Sequence, residues 1–153
     1  MPVKGATATL ARDWATPVRR DTYRTFIYDL ATPQGEDRGR VLIEVLSVDG
    51  RMDTYWYMPV DLAYVRKPEI TEQQAIALAW SKVNWTGSST SPWHLEGANL
   101  ADSSRWTQPG WPVWVVGFRI PRPASPGPPW RSGGGRAEVW IDGVTGKILS
   151  QDY

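Results

Sequence analysis

One segment of the 153-residue sequence carries apolar residues at helical spacing, and almost everything else alternates. Ile70-Thr71-Glu72-Gln73-Gln74 has the form of a capped helix start. Thr71 can cap, Gln74 lies three residues on as in a capping box, and Glu72 sits where the helix dipole favours negative charge. Ile76, Trp80 and Val83 then fall at i, i+4 and i+7, with Ala75 and Ala79 beside them, giving one apolar face. Gly87 and the Ser/Thr cluster after it end the run. The spacing predicts one main helix over about residues 71–84. A helix this short is marginal alone in water, so it must dock on something.

The remaining signals are strands. Tyr23 to Leu30 alternates, with Phe26, Tyr28 and Leu30 on one face, and Val41 to Val48 is rich in β-branched residues. Asp49-Gly50 is a turn signal, after which Met52 to Met58 returns as an aromatic strand. Trp93 to Leu100, Pro112 to Ile120, Arg136 to Asp142 and Lys147 to Tyr153 complete the set. Between the last two pairs of segments, Pro121 to Gly135 holds five prolines and four glycines, and reads as a hairpin tip.

The strands suggest an internal repeat. Ile43–Tyr57 overlays Val139–Tyr153 at an offset of 96, placing Val45 on Ile141, Gly50 on Gly146 and Met52 on Ile148. One strand earlier the offset is 90, placing Phe26 on Val116, Tyr28 on Phe118 and Leu30 on Ile120. The shared parity implies that these residues face inward in both copies. The expected fold is α+β: one antiparallel sheet of two repeated hairpin units, with the 71–84 helix packed on one face. Residues 1–153 then form a single domain, with a partial first repeat of strands alone over 1–58 and a second, helix plus strands, over 70–153. The first copy lacks a helix of its own, so it shares the second copy's helix, takes its cover from a partner chain, or continues upstream.

Composition narrows the function. Seventeen basic against sixteen acidic residues give a net charge of +1, too little to draw nucleic acid or an anionic membrane. The absence of cysteine excludes disulfides and thiolate metal sites, and a single histidine, His94, excludes a multi-histidine metal site. No run reaches the about 18–20 apolar residues of a membrane span, and the first ten residues lack the apolar core of a signal peptide. No cofactor or metal is expected.

Residues 70–153 resemble a PepSY domain. The helix opening Thr71-Glu72-Gln73-Gln74-Ala75, the strand Pro112-Val113-Trp114-Val115-Val116, and the ending Asp142-Gly143-Val144-Thr145-Gly146-Lys147-Ile148 carry the likeness. Residues 23–57 repeat its hairpin alone, with Asp49-Gly50-Arg51 in place of Thr-Gly-Lys. The resemblance implies a place in the cell envelope or outside the cell, with any signal or anchor segment outside this chain. It implies a non-catalytic module that engages another protein, such as a peptidase it inhibits or regulates, or an envelope protein. A homodimer through the uncovered first repeat is a further expected assembly.

The chemistry-bearing residues fit that picture. Asp142, Gly143, Thr145 and Gly146 have turn chemistry, as do Asp49 and Asp53. His94 has no companion, and the serines at 88, 89, 91, 103 and 104 lack a nucleophile elbow. The chain is not expected to be an enzyme. Ten tryptophans against two phenylalanines is the unusual number. Trp80 and Trp114 read as core. Trp93, Trp106, Trp111 and Trp130 lie near loops, where they could contact a partner or stack on a sugar ring, so a carbohydrate or cell-wall binding module is the alternative.

Overall fold

The computed structural model describes residues 5, 7–19, 21–83, 93–102, 104–119 and 135–152. Within them run β1 (Thr7–Val18), β2 (Asp21–Ala31), β3 (Asp37–Val48), β4 (Arg51–Val60), α1 (Glu72–Val83), β5 (His94–Ala101), β6 (Val113–Arg119), β7 (Arg136–Asp142) and β8 (Ile148–Asp152). The fold is mostly β, in two four-stranded antiparallel sheets, β1-β2-β3-β4 and β5-β6-β7-β8. The expected α+β class, with both hairpin copies in one sheet under one main helix, is therefore corrected. Each copy closes its own meander, and the short α1 contacts β5, β6 and β7. By contacts the chain divides into two compact units, residues 1–68 with 102–112, and residues 69–101 with 113–153.

In the first unit Asp49 and Gly50 both take positive φ, 50° and 77°, and Val48 pairs directly with Arg51. Asp-Gly suits this two-residue hairpin because its backbone twist matches that of the strands. Pro17 and Pro59 fall in β1 and β4, the two edge strands, where a missing N–H breaks no inner ladder. The register stacks Trp14, Thr25, Glu44 and Trp56 as one rung across all four strands, next to a rung of Arg12, Ile27, Leu42 and Met58. This is the inner face. Ile27 and Leu42 are buried on it against Val65, with Trp14, Met58, Val60 and Leu62 packed around them. Its cover consists of the segment after β4 and the strap Asp102–Pro112, which lies in sequence between β5 and β6.

The burial reverses the expected inward face of the first copy. Tyr23, Thr25 and Ile27 are buried, whereas Phe26, Tyr28 and Leu30 are only partly so. Their proposed counterparts Val116 and Phe118 are fully buried in the second sheet, so the offset of 90 joins residues from opposite kinds of face. The two halves share a meander topology but not that residue correspondence.

In the second unit the capping box forms as expected. The Thr71 N–H donates to Gln74 Oε1 at 2.9 Å, and the Gln74 N–H donates to Thr71 Oγ1 at 3.2 Å. Ala75, Ala79 and Val83 are the buried stripe of α1. Just before it, the N–H groups of Glu69 and Ile70 both donate to the Gly143 carbonyl at 2.9 Å. Trp114 is fully buried, and its indole N–H donates to the Ile70 carbonyl at 2.8 Å. The helix lead-in is thus fastened both to the β7–β8 turn and to the sheet core. That core holds Val113, Val116, Phe118, Val139 and Ile141 at full burial.

Candidate functional site

The β7–β8 turn is explained by its own bonds. Asp142 Oδ1 accepts from the N–H groups of Val144 and Thr145 at 2.8 and 2.9 Å, and Gly146 takes φ 74°. Asp142 and Thr145 are thereby occupied as turn residues. Asp49, Asp53 and His94 are exposed. Ser104 Oγ bonds Thr107 Oγ1 at 2.8 Å and accepts the Trp106 N–H at 3.2 Å, which closes a tight bend in the strap. Ser88, Ser89, Ser91 and Ser103 lie outside the described residues, as does nearly all of the Pro121–Gly135 loop.

The four candidate tryptophans fall in different parts of the chain. Trp93 belongs to the second unit, Trp106 and Trp111 belong to the first, and Trp130 lies outside the described residues. Trp106 and Trp111 are half-buried. The Arg105 guanidinium sits 4.4 Å from the Trp106 ring centroid, and that of Arg66 sits 5.5 Å from the Trp111 ring. Cation–π contact thus occupies one of the two faces of each ring on which a sugar could stack.

The larger aromatic surface is on the other side of the first sheet. Tyr55 and Tyr57 pair with Val45 and Ile43, so their side chains share one face of edge strand β4. A bulge at Asp53 puts Met52 opposite Ser47, which brings Met52 onto the same face. Met52, Tyr55 and Tyr57 are 67%, 65% and 64% exposed. Inward from them run Val41, Ile43 and Val45 on β3, Phe26 and Tyr28 on β2, and the exposed Leu10 on β1. Exposed Arg24 and Asp13 share this face on β2 and β1, so the apolar, aromatic surface is concentrated along β4 and β3, where its exposure is uncommon on a protein that meets only water.

Behind it, on the inner face, sequence reasoning missed the most unusual electrostatic feature. Glu44 is 0% exposed and faces Asp102 of the strap, itself 3% exposed. Burial pushes the Glu44 carboxyl up to about 11, and the neighbouring Asp102 adds to the shift, while the Trp56 indole N–H partly opposes it. Burial also raises Asp102, against a hydrogen bond from Glu44. Neither oxygen of Glu44, nor Oδ2 of Asp102, reaches an ideal hydrogen-bond geometry, nor do the buried hydroxyls of Thr16 and Thr25 on the same face. The signal available in the sequence was Glu44 at even parity with Leu42 and Leu46 inside an apolar strand. Nothing local in the sequence flagged Asp102 as its partner 58 positions on.

At the end of β4 a shallow recess of about 340 Å³ is lined by Pro59, Val60, Asp61, Tyr64, Gln108 and Pro109. Among the described residues no helix is long and apolar enough to cross a membrane, and no three His, Cys, Asp or Glu residues gather as metal ligands would. No protein-family model matches the chain, and neither a curated protein nor a solved structure is significantly similar to it.

Proposed function

We propose that this chain is a non-catalytic, extracytoplasmic PepSY-like module that binds another protein through the outer face of its first sheet. The observation that carries the reading is the Met52, Tyr55 and Tyr57 surface on edge strand β4. Tyrosine and methionine are enriched in protein interfaces. An edge strand also offers unpaired backbone groups to an incoming strand. The extracytoplasmic placement and the regulation of a peptidase rest on the resemblance of residues 70–153.

The test is capture from an envelope extract with the wild-type chain and with a Tyr55→Ser/Tyr57→Ser double variant. Both tyrosines are largely exposed, so the variant should keep its stability. The reading expects a defined protein to be retained by wild type and lost with the variant. Recovery of polysaccharide alone, together with a tryptophan fluorescence response to glycans, would replace it with the carbohydrate-binding alternative. Sedimentation of the wild type alone tests the homodimer: a dimer that the double variant abolishes would make a second copy the occupant of this face.

A further inference from the structure

We propose that Glu44 and Asp102 form a proton-holding clasp that fastens the strap Asp102–Pro112 onto the inner face of the first sheet and loosens as pH rises. The geometry is specific. Glu44 projects from β3 at the centre of the rung Trp14, Thr25, Glu44, Trp56, and Asp102 opens the strap. Two desolvated carboxylates side by side cannot both keep a charge, so at least one holds a proton, and a protonated carboxyl donates to the other.

Among the described residues, no cation is one of the groups that act on the two carboxyls. From β2 the nearest titratable group is Tyr23, which feels both carboxyls and Asp21. From β4 the facing group is the Trp56 indole. On β1, Arg12 lies one rung along and its guanidinium donates to the Val65 carbonyl at 3.4 Å. Two rungs along, Arg40 on β3 pairs with Asp29 on β2 at 2.7 Å. In the covering segments Arg66 stacks on Trp111, Arg105 on Trp106, and Lys67 is exposed.

The sign follows from proton linkage. The folded Glu44 holds its proton up to about 11, whereas in the unfolded chain it ionises near 4.5. Its contribution to stability is complete below about 4.5 and is lost progressively as pH rises toward 11. The strap has two reporters, because the Gly110 N–H donates to the Asp102 carbonyl at 2.7 Å and the Arg66 N–H donates to the Gly110 carbonyl at 3.3 Å.

The experiment measures urea midpoints and amide protection factors from pH 5 to 8.5 for wild type, Glu44→Gln and Asp102→Asn. The clasp expects the wild-type midpoint, and the protection of Gly110 and Arg66, to fall across this range. Glu44→Gln should flatten both profiles and exceed wild type at the alkaline end, with Asp102→Asn flattening them in part. Parallel profiles, displaced by the same amount at every pH, would overturn the idea. So would stabilisation of wild type at pH 8 by calcium or magnesium that Glu44→Gln abolishes, since a cation would then hold the pair.

Discussion

Trp80 stands edge-on to Phe118, with ring centroids 4.8 Å apart and planes at 69°. Phe118 is fully buried in β6, and Trp80 is half-buried on α1, so this pair ties the rim of the helix to the centre of the second sheet. Trp80→Ala should destabilise the unit by about 2–3 kcal/mol, below the about 3–5 kcal/mol typical of a fully buried aromatic. Trp80→Phe keeps an edge contact and should cost less than half as much. Urea denaturation monitored by far-ultraviolet circular dichroism gives both values. A Trp80→Ala cost under about 1 kcal/mol would mean that Ala75, Ala79 and Val83 hold the helix without it.

Gly110 governs the strap by backbone conformation. It takes φ 93°, and a Cβ there would lie 2.8 Å from Val65 Cγ2 and 3.4 Å from the Val65 Cα. Val65 is part of the buried cluster with Ile27 and Leu42, so it has little room to retreat. Gly110→Ala should therefore cost about 2 kcal/mol or more, combining strain at positive φ with overpacking. Gly35, also at positive φ, has open space around it, and Gly35→Ala carries the conformational term alone. Equal losses for the two variants in thermal denaturation would show that the Val65 contact adds nothing.

Among the described residues, seven of eight strands and α1 were legible because their signals are local. Thr71 and Gln74 bond each other within one turn, and Asp49-Gly50 fixes its hairpin without help from elsewhere. β1 was not legible. Thr7–Val18 is an edge strand whose residues are mostly exposed, with Arg12, Asp13 and Pro17 breaking any apolar alternation. Being polar, it needs only one neighbour, and β2 supplies the partner. The inward face of β2 was misread for a different reason. Phe26, Tyr28 and Leu30 are more apolar than Tyr23, Thr25 and Ile27, yet the latter turn to the core, which is partly polar at Glu44 and Asp102. The identity of the covering elements is a long-range fact: the strap comes from beyond α1 and β5, and no residue in it announces that it belongs with the first sheet.

The capping box of α1 sets a smaller, cleaner test. Thr71 and Gln74 are both exposed, so their substitution changes little beyond the two reciprocal hydrogen bonds. Thr71→Ala should cost about 1 kcal/mol, and Thr71→Ser should restore most of it. The Thr71→Ala/Gln74→Ala double variant should cost less than the sum of the singles, because each bond is part of one closed cap. Strict additivity in chemical denaturation would contradict that coupling.

Tyr23 provides an alkaline reporter of the same inner face. It is buried, with its ring 5.6 Å from that of Trp56 at 67°. Burial raises its hydroxyl above the ordinary 10.0, and the charges of Glu44, Asp21 and Asp102 raise it further, in that order. The folded state thus keeps Tyr23 neutral where the unfolded chain would ionise it. Its contribution to stability is present below about pH 10 and is lost as pH climbs through the folded value. Ultraviolet difference titration of wild type against Tyr23→Phe should isolate one phenolate step lying above 10.0, and Asp21→Asn should move that step downward. Tyr23→Phe should also show a shallower loss of stability in strong alkali. A missing step at or below 10.0 would place the Tyr23 hydroxyl in water and remove it from the acidic inner face.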